Sequence, residues 1–195
     1  MSNTSRAVLF TIGYVAAGLI AVVAVGGLTY GRQLLNFPEP LLTLLLLGLM
    51  GGLIYASVQM DVPGFVVPVV ALAFVARVAL TPRSYSHLAA AIYTLVMGVA
   101  LLAAAYAQKS LALKFGRFLS TGLVVAAGYA LMTLLFISIW NTHTGLGTVW
   151  RQAFLGAKFG VGLGLGFELI DLIGPRPEHL FFPAPSALDN RSEDT

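Results

Sequence analysis

The stretch AVLFTIGYVAAGLIAVVAVGGLTY, from Ala7 to Tyr30, contains no charged side chain. It outruns the about 20 helical residues that cross roughly 30 Å of hydrocarbon. Five further apolar blocks follow, at about 41–60, 65–80, 87–107, 118–140 and 148–173. Backbone amides in lipid find no water to bond, so each block must form a helix, and the expected fold is an all-α bundle of about six transmembrane helices. Composition agrees: the chain is 58% hydrophobic and 10% charged, against about 25% charged for soluble domains. A cleaved signal peptide is a poor reading of the first block, which exceeds the usual apolar region of about 7–15 residues and has only Arg6 before it.

The connections are short and marked by breakers. GRQLLNFPEP (31–40) and NTHTGLG (141–147) are loops, and Asp61-Val62-Pro63-Gly64 leads directly into the third block, which is short and carries Pro68 near its start. Residues 174–195, with four prolines and a charged end, read as a polar tail in which Phe181 and Phe182 are the only aromatics.

An even number of crossings puts both termini on one side. Arg6, Lys109, Lys114, Arg117, Arg176 and Arg191 then share that side, and Arg32, Arg77, Arg83 and Arg151 the other. The positive-inside rule makes the first side cytoplasmic, and the expected location is a cell membrane. Tyr30, Tyr85, Tyr106, Trp140 and Trp150 fall at block ends, as an aromatic belt requires. The excess of basic residues over acidic ones forms no stripe with interleaved aromatics, so the partner expected is the bilayer and not nucleic acid.

Several functions lose their chemistry at this stage. With no cysteine there are no disulfides, thiolate metal sites or thiol nucleophiles. His87, His143 and His179 stand apart, and no zinc, phosphate-loop or nucleophile-elbow motif occurs, so no cofactor is expected. In size and helix count the chain is similar to the substrate-binding membrane subunits of energy-coupling-factor vitamin transporters, a likeness of fold that assigns no residue.

The last block holds the richest pattern. Gly156, Gly160 and Gly164 recur every fourth residue, and Gly162 and Gly166 repeat the spacing on another face, so neighbouring helices or a second copy can approach on two sides. Lys158 falls near mid-membrane, where a charge usually faces a cavity or counter-ion, although it and Arg151 also share a face leading toward the outer surface. Glu168 and Asp171 are neighbours one turn apart, far from Lys158, with Lys114 and Arg117 as their expected partners. Arg77, at the end of the third block, either reaches the outer interface or pairs with Glu39.

Three readings follow. One is a subunit that binds or translocates a small solute at a charged site on the last helix. Another is a non-catalytic structural or assembly subunit of a larger membrane complex. The third is a lipid-modifying enzyme using His143 and Arg151. The residues expected to carry a substrate or ion site are Lys158, Glu168, Asp171, Arg151 and Arg77.

Overall fold

The computed structural model describes residues 3–31, 38–80, 86–110, 117–140 and 145–173. The described residues contain no strand. They form α1 (Asn3–Tyr30), α2 (Pro38–Gln59), a short 3-10 turn (Pro63–Phe65), α3 (Val66–Leu80), α4 (His87–Ser110), α5 (Arg117–Trp140) and α6 (Leu146–Ile173). The side chains of Glu39 and Arg117, the loop residues Arg83, Tyr85, Lys114 and His143, and the tail from residue 174 with His179, Phe181 and Phe182 lie outside the described residues.

Five of the six helices are long and apolar enough to cross a membrane. The expected all-α membrane bundle is what the structure shows, and the count by length falls one short of about six only because α3 has 15 residues, reaching about 22 Å at 1.5 Å per residue. The 3-10 turn before it adds about 6 Å at about 2 Å per residue. α3 still runs the depth of the bundle, since it starts beside the end of α2 and brings Arg77 back to Thr43 near the start of α2.

Local chemistry explains the boundaries. α2 begins at Pro38, three residues before the apolar block, because a proline in the first turn gives up an N–H that has no helical partner anyway. It ends in a reversal at Asp61, which adopts φ 56°. There Val62 N–H donates to Ser57 O at 2.9 Å and Asp61 N–H to Val58 O at 3.2 Å, satisfying carbonyls the helix end would orphan. The Asp61 carboxylate also pairs with Lys109 at the end of α4, and Lys109 Nζ donates to Val58 O at 3.2 Å. That double anchor carries α4 on to Ser110, three residues past the apolar block. Ser86 caps the start of α4, its Oγ accepting from Ala89 N–H at 3.3 Å.

α1, α2, α4, α5 and α6 pack in that order as a closed ring, with α3 outside, against α2 and α4. Inside lie Val22, Leu47, Ile54, Met97, Val125, Phe159 and Leu163, all essentially fully buried. Outside, side chains such as Ile20, Val67, Leu123 and Leu172 are two-thirds exposed or more. A surface this apolar suits lipid and would be a large exposed patch on a soluble monomer.

Glycines set the closest approaches. A Cβ on Gly160 would lie 2.8 Å from Gly122 Cα, and one on Gly164 2.7 Å from Phe118 Cα, both on α5. Gly156 meets the Tyr129 ring of α5, whereas Gly162 and Gly166 turn toward Val25 and Ala17 of α1. Within one chain, the two faces of α6 that carry glycines are thus covered by α5 and α1. The tightest contact lies elsewhere, where Gly18 of α1 meets Gly48 and Gly52 of α2 backbone to backbone.

Candidate functional site

Lys158 does not enter the ring. It is exposed on the outer surface of α6, with Nζ 4.8 Å from the centroid of the Phe154 ring. Arg151 and Trp150 are exposed as well, and Leu165, Leu169 and Leu172 continue the outward face. The sequence spacing places Lys158 and Arg151 on one face, and the structure adds that this face is the one α6 turns away from every other helix. Among the described residues no carboxylate pairs with Lys158.

The two acids of α6 lie at the other end of the helix. Asp171 is half-buried and accepts a hydrogen bond from the hydroxyl of Tyr14, itself fully buried on α1. Three more rings surround that hydroxyl's stem. Phe10 meets Tyr14 edge-on at 4.6 Å, Tyr55 of α2 lies 5.2 Å away, and Phe167 lies 5.7 Å away and stacks on Tyr55 at 4.4 Å. Offset and edge-on pairs of this kind each add about 0.5–1.5 kcal/mol beyond area burial. Glu168, one turn earlier, is half-buried. The arrangement ties α1, α2 and α6 together through a polar bond inside an aromatic collar.

Tyr14→Phe keeps the collar and removes only the donor to Asp171. The expected cost is about 0.5–1.5 kcal/mol of bundle stability, the usual net worth of one intramolecular hydrogen bond. Titration of the purified protein from mild detergent into sodium dodecyl sulfate measures it. A variant as stable as the parent would show the bond to be energetically idle.

Arg77 is buried, with 6% of its surface exposed, and reaches inward from α3 between α2 and α4. Its guanidinium carbon lies 3.9 Å from the centroid of the Tyr93 ring on α4, and Nη1 donates a long hydrogen bond of 3.4 Å to Thr43 Oγ1 on α2. Tyr129 of α5 lies close enough to interact electrostatically with Arg77, Tyr93 and Tyr30 of α1. Three helices, α2, α4 and α5, therefore supply polar or aromatic groups around one buried cation carried by α3. The sequence offers the outer interface or Glu39 as its destination; the structure buries Arg77 against Tyr93 and Thr43, and the Glu39 side chain lies outside the described residues.

A further buried polar pair joins α4 to α5, where Gln108 Nε2 donates to Thr121 Oγ1 at 2.7 Å with both residues about 1% exposed. Gln108 lies one residue past the fourth apolar block, and its buried position comes from α4 continuing one more turn.

An open cavity of about 440 Å³ lies between α3 and α4, lined by side chains such as Val66, Val70, Phe74, Leu95 and Leu102. Its Thr94 hydroxyl is already bound to Ala90 O at 2.6 Å, so the lining offers a ligand no spare donor. Lys158, Asp171 and Arg77 are not among the lining residues. Among the described residues no group of three or more His, Asp or Glu side chains could hold a metal. Comparison of the chain with family models, with curated proteins and with solved structures returned no match to any of them.

Proposed function

We propose that this chain is a non-catalytic membrane subunit that assembles with another membrane component through the outer face of α6. The single observation that carries the reading is Lys158, a cation exposed on the outside of the bundle near the middle of a 28-residue helix. Against lipid alone such a charge costs about 2.5–3.5 kcal/mol on insertion scales, a burden that the contact with the Phe154 ring offsets only in part. A partner on that face removes it. The test is the native mass of the tagged full-length chain, extracted with surrounding lipid into polymer-bounded nanodiscs. A particle heavier than one chain of 20.6 kDa plus its lipid is expected; a lone monomer overturns the reading.

A second reading, binding of a small anionic solute, is favoured by Arg77. A buried guanidinium stacked on Tyr93 and bonded to Thr43, with Tyr129 nearby, supplies the charge and aromatic walls that suit a carboxylate or phosphate. Thermal unfolding in detergent with benzoate, citrate or inorganic phosphate tests it. Stabilisation that disappears in Arg77→Lys supports a solute site, and no stabilisation by any of the three counts against one.

Cytoplasmic termini are proposed with either reading. Burial takes Arg77 out of the charges exposed at the far end, which strengthens the bias of Arg6 and Lys109 toward the end bearing the N-terminus. Because the chain has no cysteine, single cysteines report sidedness without background. In intact cells an impermeant maleimide should label Gly145→Cys and leave Ser5→Cys unlabelled; the reverse pattern inverts the topology.

A further inference from the structure

The outward face of α6 is a single stripe. At 100° per residue, Arg151, Phe154, Lys158, Leu165, Leu169 and Leu172 fall within a narrow arc, and each is exposed. Four are apolar, enough to seat a helix along the length of α6, and the two cations differ in depth. If exposed Trp150 marks the interface, Arg151 lies beside it, whereas Lys158 is eight residues further in, about 12 Å deeper at 1.5 Å per residue. The lysine stem has already bent one turn toward Trp150, since Nζ sits over Phe154, and an extended side chain recovers only part of that depth. Arg151 is placed to meet lipid phosphate. Lys158 is too deep for the same solution.

We infer that the component docked on this face is a transmembrane helix of a different protein, carrying an aspartate or glutamate that meets Lys158 near mid-membrane. The inference rests on the assembly reading and names its partner. Charge complementarity requires an acid at the depth of Lys158, and among the described residues a second copy of this chain does not bring one. In a pair related by a two-fold axis along the membrane normal every residue keeps its depth. Glu168 and Asp171 then lie about 15 and 20 Å further along α6, and Asp61 sits with Lys109 at that same far end. The apolar stripe supplies packing, and the Lys–carboxylate contact fixes register, as one polar pair does in other membrane helix pairs. No internal route competes, because the cavity between α3 and α4 opens on the opposite side of the ring.

Dicyclohexylcarbodiimide, which partitions into lipid, activates intramembrane carboxyls and joins them to an adjacent amine as an amide. Native membranes containing the tagged full-length chain are treated with it, and the peptide bearing Lys158 is sequenced by mass spectrometry. The expected product joins Lys158 to an Asp or Glu inside a transmembrane segment of another protein. Lys158→Gln should abolish that product and reduce recovery of the same protein at least tenfold, with the unfolding midpoint of the bundle unchanged. Three outcomes overturn the inference: an amide to Glu168 or Asp171 of this chain, no amide although the nanodisc particle is heavier than a monomer, or recovery that depends on anionic lipid and not on Lys158. The second leaves assembly standing; a lone monomer removes both.

Discussion

Replacing Gly48 and Gly52 together with valine is expected to separate α1 from α2 and to cost the bundle more than about 3 kcal/mol, beyond the usual overpacking penalty of about 1–3 kcal/mol. Overpacking ordinarily pushes on side chains, which can choose another rotamer. Here, besides the Val22 side chain beside Gly48, what stands in the way is backbone. A Cβ on Gly52 would lie 2.6 Å from Val15 Cα and 2.7 Å from Tyr14 O, and one on Gly48 would lie 2.7 Å from Gly18 O. The only relief is to move a whole helix, and α1 carries Tyr14, so the bond to Asp171 and the aromatic collar go with it. The comparison is Gly27→Val, on α1, where a Cβ meets nothing within 4 Å. Titration with sodium dodecyl sulfate should leave that variant near the parent, apart from the modest helix-propensity difference between the residues, while the double variant fails to purify as a folded species or unfolds at far lower detergent fraction. Equal stability of the two variants would mean that α1 and α2 do not meet at these glycines.

The difference between what could be read from sequence and what could not follows from what periodicity measures. Spacing separates the faces of one helix from each other, so Gly156, Gly160 and Gly164 are legible as one face and Lys158 as another. It does not say which neighbour, if any, covers each face. Lys158 near mid-membrane therefore reads toward a cavity, and only the ring order, with α6 between α5 and α1, turns it outward. Gly48 and Gly52 show the same four-residue spacing as the α6 series, a signal present in the second block that does not by itself say which helix it meets. Tyr14 carries no sequence signal at all. Its partner is 157 residues away, and their meeting depends on α1 closing the ring against α6. Helix existence was legible almost throughout because lipid leaves the backbone no alternative, while helix ends moved by a few residues wherever a proline or an ion pair, and not hydropathy, decides them.

Arg77→Ala is expected to destabilise the bundle by about 3 kcal/mol, combining a desolvated cation–π contact of about 2 kcal/mol with the lost hydrogen bond and packing of a buried side chain. The guanidinium plane, and not charge alone, makes the difference. Arg77 reaches past the edge of α3 to lie on the Tyr93 face at 3.9 Å while Nη1 is bonded to Thr43, so one flat group holds α3 to both helices beside it. A lysine at this position keeps the charge but has a compact head that cannot stack and donate in the same geometry. Arg77→Lys should therefore recover only a part of the lost stability, and Tyr93→Leu, which keeps an apolar side chain under the cation, should remove the cation–π share while leaving the Thr43 bond. A double-mutant cycle between positions 77 and 93, read by detergent titration, isolates that share. A coupling of about 2 kcal/mol makes the stacked pair the clamp on the short helix. A coupling near zero means that the two side chains are neighbours without mutual energy, and α3 is then held by the apolar contacts of Val66 and Val70 against α2 and α4.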